Sequence, residues 1–554
     1  MLIFPVRYKS VRFLGLVFTI LALTTQITAC NDSSNSSSST ITGSVFAAPV
    51  DGAVCELQDT NGASIIQNSF STNANGEYSV NIQTSRLNQD MVLSCTGGSY
   101  TDEATGASTA AGNITAYVAS GTIGDGDQIH ATPESTIIQR LVTVHNLTLI
   151  EAENAFAAAF NYDVDTSIAP TNANSPGSNS SDAQKLAGLR AAAFSQLTME
   201  MGLSAGEQLD LLNAIALDLK DGTLDGKEGV NAITINGTII DLSNDIQDRF
   251  TQALLNFHNS NNNATGLGNE KLGALPFAKT VMTTNHIVEY LSGMMMTSEG
   301  MSQFQIRVTD RSNDTAATGL NVTLMPMMNM ANNLMHSTPA QATCAESTTL
   351  GTYDCTVFYI MPSVMASGIS MGYWDLQIMV AMNETAHFYP TVMMAMGDTA
   401  KADLKGSSSD QIMSMSGGTE NRRYHIFNAG LTSNNAFTVF IAAREGMMSM
   451  PALVSGTELN TGTMYALTPG TITAEMSLDG TSWTSATTTN NGYWSANLTG
   501  ITGMSSLPIY VRLTIDTEQK TTNGMAPDGM STDPVNTNEF ATFTVTPGGS
   551  SMGN

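Results

Sequence analysis

Trp374-Asp375-Leu376-Gln377-Ile378-Met379-Val380 is the stretch that decides the fold class. Trp374, Leu376, Ile378 and Val380 fall on one side of a period-two chain and Asp375, Gln377 and Met379 on the other, the pattern of a strand with one buried face. The same alternation recurs in Phe304-Gln305-Ile306-Arg307-Val308, in Leu320 to Leu324 and in Tyr353 to Tyr359. It continues in Phe437 to Ile441, Thr471 to Leu478, Tyr493 to Leu498 and Ile509 to Ile515. Asp479-Gly480 before Trp483 and Asn491-Gly492 before Tyr493-Trp494 supply hairpin turns beside aromatics. Residues 281–405 and 415–554 therefore read as two β-sandwiches, joined by Gly406-Ser407-Ser408-Ser409.

Upstream, residues 41–130 are short strands parted by Asp51-Gly52, Asn61-Gly62 and Asn75-Gly76, a further small sandwich. Residues 131–280 change period. Ile137, Ile138, Leu141 and Val142 follow Pro133, and apolar residues recur at helical spacing from Glu151 to Phe160, Ala183 to Met201 and Glu207 to Leu219. This predicts one α-helical domain inserted into a mainly β chain. Within it, Asp218, Asp221, Asp225 and Glu228 resemble a calcium loop only loosely, and a turn after a helix explains them better. Composition agrees with the β reading: 42% apolar residues, 12% charged and 47 Gly among 554 residues. With 21 Lys+Arg against 48 Asp+Glu the formal charge is −27, which excludes a nucleic-acid partner held through phosphates.

Arg7, Lys9 and Arg12 precede the apolar run Phe13 to Ile27, which ends at Ile27-Thr28-Ala29-Cys30. This resembles the signal of bacterial lipoproteins, in which a cysteine after small residues is acylated and becomes the mature N-terminus. The resemblance implies a signal peptide over residues 1–29, palmitate-type acylation of Cys30, and a flexible tether at 30–40. It places the chain in the bacterial cell envelope, on the outer membrane with a periplasmic or surface face and the lipid as membrane partner. With Cys30 set aside, Cys55, Cys95, Cys344 and Cys355 remain, and an oxidising compartment favours pairing. Cys55–Cys95 and Cys344–Cys355 are the local choices among three connectivities. The Gly43, Asp51-Gly52, Asn61-Gly62 and Gly76-Glu77-Tyr78 region resembles carboxypeptidase-regulatory-like domains, transthyretin-like sandwiches that imply a spacer or recognition module.

The 33 methionines are the oddity, and 23 of them lie between Met282 and Met450. They come in knots, such as Met294-Met295-Met296, Met325-Pro326-Met327-Met328, Met393-Met394-Ala395-Met396 and Met447-Met448-Ser449-Met450. Thioether sulfur is soft and suits Cu(I). It also fills irregular cores, and makes adaptable surfaces for a protein partner. Val322 to Met328, Met335-His336, Gly351-Thr352-Tyr353 and Met371-Gly372-Tyr373-Trp374 resemble the YtkA-like and FixH-like exported domains. That resemblance implies an Ig-like sandwich linked to copper handling, with Met325, Met327, Met328, Met335, His336 and Met371 carried over as ligands. Met393, Met394 and Met396 form a candidate second cluster.

Motifs for catalysis are poor. Gly368-Ile369-Ser370-Met371-Gly372 spells a nucleophile elbow, but Tyr373 to Val380 reads as a strand where that motif needs a helix. The expectation is an envelope binding protein and not an enzyme, taking Cu(I) through Met and His. The rival is a surface adhesin or scaffold whose methionines are core or partner contacts.

Overall fold

The alternating segments form strands, and strand predominates over helix in the computed structural model. It describes residues 37–235, 240–291, 296–397, 399–414, 417–501, 505–529 and 537–547. Cys30 and residues 1–29, where a signal peptide is expected, lie outside the described residues. The chain is mainly β, built from several small sheets and one group of helices.

The first module pairs Ser38–Val45 between Glu77–Gln83 and Gln128–Ala131, against a sheet of Phe70–Ser71, Val54–Gln58, Met91–Thr96 and Ile114–Val118. Ile41, Leu57, Tyr78 and Leu93 fill the space between. Ser38 to Thr40, assigned above to the tether, already belong to the first strand. Cys55 and Cys95 are register partners on neighbouring strands and form a disulfide.

The helical module contains α1 (Pro133–Thr143), α2 (Leu149–Phe160), α3 (Asp182–Glu200), α4 (Gln208–Leu219) and α5 (Ile246–His258). Thr132, Thr148 and Ser181 cap the first three through their side chains. α5, where no helix is expected above, packs on α3 through Phe250 against Phe194, with ring centroids 4.7 Å apart. Asp218 is a turn-former: its carboxylate accepts the backbone N–H groups of Gly226 (2.8 Å) and Lys227 (3.2 Å).

The third module stacks two sheets. One runs Thr280–Met282, His286–Tyr290, Gly300–Asp310, Thr352–Tyr359 and Ala345–Glu346. The other runs Met335–Ser337, Thr323–Met330, Gly372–Ala381 and Glu384–Phe388. Trp374, Tyr353 and Tyr359 are fully buried between them. Cys344–Cys355 closes a hairpin in which Ala345 pairs with Asp354. The Gly368–Gly372 letters have a backbone explanation. Gly368 has φ +80°, and a Cβ on Gly372 would come 1.9 Å from the Asn329 carbonyl oxygen. A strand follows at Gly372–Ala381, so no elbow forms.

The fourth module begins earlier than 415. Lys401–Lys405 pairs with Arg423–Leu431, so it lies in the sheet that continues through Ala436–Ala443 and Tyr493–Asn497. Gly406–Ser409 is tied down rather than free: Gly406 N–H donates to the Arg422 carbonyl (2.9 Å) and Ser407 N–H to Glu518 Oε1 (2.7 Å). The opposing sheet holds Ile472–Ser477 and Leu507–Ile515, with Ala541–Val545 paired to the latter. Between the third and fourth modules, Phe358 stacks on Phe440 at 4.0 Å and touches Phe427 at 5.2 Å.

Candidate functional site

Strand register decides which methionines can meet. On Thr323–Met330, Met325 faces Gln377, Met327 faces Asp375 and Ser337, and Asn329 faces Met335. Met328 lies on the opposite face, across from Trp374 and His336. The pleat therefore divides the expected ligands, with Met325, Met327 and Met335 on one side and Met328 and His336 on the core side. The five do not close on a single ion, which corrects the expectation of one site. Met325 and Met335 are exposed. Met327 is buried on the face that sends Tyr373 and Tyr389 into the helical core. Met371 is half-buried against the sandwich core.

The second expected cluster comes together in part. Met394 and Met396 share a groove of about 360 Å³ with Met301 and Glu299, at the junction with the fourth module; Met393 does not line it. Burial pushes the Glu299 carboxyl above its ordinary value. Met294 and Met295 lie outside the described residues.

His336 is where the core-side residues become chemically unusual. Its ring is 3% exposed, and Nδ1 sits 2.8 Å from the Ser337 carbonyl oxygen. A carbonyl only accepts, so Nδ1 carries the proton and Nε2 keeps its lone pair. Nε2 faces the Met361 sulfur at 2.9 Å. Burial, and then the nearby charges of Arg444 and His425, hold the imidazole pKa below its ordinary value in spite of the Ser337 bond. The neutral ring thus presents a lone pair to a thioether that has no hydrogen to give. Trp374 closes the pocket edge-on, its ring centroid 5.4 Å from the imidazole.

His130, in the first module, is the contrast. Ser44 Oγ–H donates to its Nδ1 at 2.8 Å and its Nε2–H donates to Gln128 Oε1 at 3.2 Å, beside a polar cleft of about 830 Å³. The neutral tautomer satisfies both nitrogens, and burial pulls the pKa down to about 4. Nothing is left wanting there.

Nothing in the sequence connects Met361 to His336. The available signal was weak: a histidine on the inward phase of a strand that otherwise buries apolar residues. Among the described residues no three His, Cys, Asp or Glu side chains gather as a metal site, and no helix is long and apolar enough to cross a membrane. No protein-family model matches the chain, and no curated protein does.

Proposed function

We propose that this chain is a lipid-anchored protein of the bacterial cell envelope that binds Cu(I) and does not catalyse a reaction. The observation that carries the reading is the bare Nε2 of His336 held against the Met361 sulfur at 2.9 Å. A soft thioether facing an imidazole nitrogen in a buried pocket is matched by a soft monovalent cation, which accepts low coordination and needs no charged ligand. Met328, the cross-strand neighbour of His336, is a third donor within reach of the same face. Exposed thioethers support the reading too. Among the described residues, eleven of the nineteen exposed large apolar side chains are methionines, among them Met325, Met335, Met394 and Met396, so core packing does not account for them. The Cys30 motif and the two disulfides support an exported, lipid-anchored location.

Anaerobic competition for Cu(I) against a chromophoric chelator tests this on the full mature chain. Wild type is expected to take up Cu(I), with H336A/M361L losing affinity by roughly 100-fold or more. A wild type that takes up no copper, or a double variant that binds equally well, leaves the scaffold or adhesin reading in its place. Mass spectrometry of the mature protein checks the address separately: an unacylated Cys30 would remove the lipid anchor from the proposal.

A further inference from the structure

We infer that the copper site spans the seam between the third and fourth modules, with His425 supplying a second imidazole to the ion held by His336. This rests on the Cu(I) reading above and goes beyond it by naming a ligand from another module.

His425 lies on Arg423–Leu431. Its neighbours Tyr424 and Ile426 enter the fourth module's own core, so His425 and Phe427 project from the other face of the sheet. Phe427 meets Phe358 of the third module, which places His425 at that seam. The chain after its partner strand reaches the same place, since Met447 O accepts the Ser337 N–H at 2.8 Å, one residue from His336.

The state of the ring points to a ligand. Nδ1–H of His425 donates to Asp403 Oδ1 at 2.8 Å, and Nε2 has no hydrogen-bond partner among the described residues although the side chain is only 6% exposed. A bare buried nitrogen alone carries little; His258 Nδ1 is another. His425 differs in its company. At the seam two imidazoles each tie one N–H to a fixed acceptor, Asp403 for one and the Ser337 carbonyl for the other, and each keeps its remaining nitrogen free of any donor. That is how metal-binding histidines are held in a fixed tautomer and orientation. The Arg444 guanidinium stands beside the site, donating to the Met447 sulfur at 3.2 Å and paired with Glu420 at 3.3 Å. A positive neighbour disfavours a divalent ion more than a monovalent one, which again selects Cu(I).

The test is ¹⁵N NMR of the full mature chain with labelled histidine, titrated anaerobically with Cu(I), which is diamagnetic. One equivalent should shift the Nε2 signals of His336 and His425 together. H425N, which keeps a donor for Asp403 but lacks the ligand nitrogen, should bind about 10-fold or more weakly, while H258N should match wild type. Copper uptake that shifts His336 alone overturns the shared site and leaves the Cu(I) reading standing. No uptake by wild type overturns both. If H425N fails to fold, the wild-type spectra still decide.

Discussion

Glu103 shows how far a single side chain can set the acid–base behaviour of the molecule. It is buried where the first module meets the helices, with Oε1 accepting the Ala173 N–H at 2.8 Å and Oε2 without a partner among the described residues. Burial, reinforced by Asp102 and Glu134 and opposed by the Ala173 bond, pushes its carboxyl from 4.5 up to about 8. The folded chain therefore keeps a proton in that window which the unfolded chain releases, so stability falls as pH rises from 4.5 to about 8 and then levels off. Glu103→Gln cannot release the proton. It should be more stable than wild type by on the order of 4 kcal/mol at pH 7.5, with the gap closing toward pH 4.5. Urea titrations of both proteins across that range measure it, and parallel pH profiles would refute it. At this scale the sequence was legible where neighbours in the chain decide the outcome. Both cysteine pairs are the local choices among the three connectivities, and both form: Cys55 and Cys95 are register partners, and Cys344 precedes the strand that pairs with that of Cys355. The contact of His336 with Met361 and the place of His425 at the seam were not legible. Each depends on how separate strands come together, and period-two patterning says which way a ring points but not what it meets.

The segment from Gly406 to Asp410 carries the lesson at the scale of the element. Its Gly-Ser composition marks a linker, yet Asp410 at its end is buried and gathers Arg422 Nε and Lys520 Nζ, each at 2.8 Å, together with the Tyr424 hydroxyl. Although burial opposes ionisation, Lys520 foremost and then the Tyr424 and Arg422 bonds hold the Asp410 carboxyl below its ordinary value. Asp410→Ala would leave the buried Arg422 without its carboxylate and Lys520 with Glu518 alone (3.0 Å), and should destabilise the fourth module by about 3 kcal/mol. Chemical denaturation followed by the fluorescence of Trp483 and Trp494 reports it, and an unchanged midpoint would sink the assignment. Proteases should spare Gly406–Ser409 in the native protein and cut it only after this carboxylate is removed. Strand alternation revealed the elements themselves. The anchoring was hidden because Lys520 lies far along the chain from Asp410, and turn composition reads the same whether or not a buried ion cluster pins it.

Over the whole molecule the modules are joined through side chains rather than strung on loose connectors. Tyr389 lies in the helical core, its hydroxyl accepting the Gln252 amide at 3.0 Å, and the Phe358–Phe440 stack joins the last two modules. Phe358→Ala removes that stack and a share of the third module's packing, a loss of about 3–5 kcal/mol. Calorimetry should then show the last two modules melting apart where wild type melts them together; a single cooperative transition in the variant would contradict this. The mainly β architecture was legible from patterning alone, but the seams were not, since an aromatic reads as core whichever module it serves. The first strand has a mechanical consequence. Ser38–Val45 lies in the middle of its sheet, laddered over seven residue pairs to Glu77–Gln83 and four to Gln128–Ala131. A pull on the chain ahead of Ser38 runs along that strand, across hydrogen bonds that lie at a steep angle to it. Those bonds share the load and must fail together, so the first module acts as a shear clamp, keeping tension at the N-terminus from reaching the seam where His336 and His425 lie.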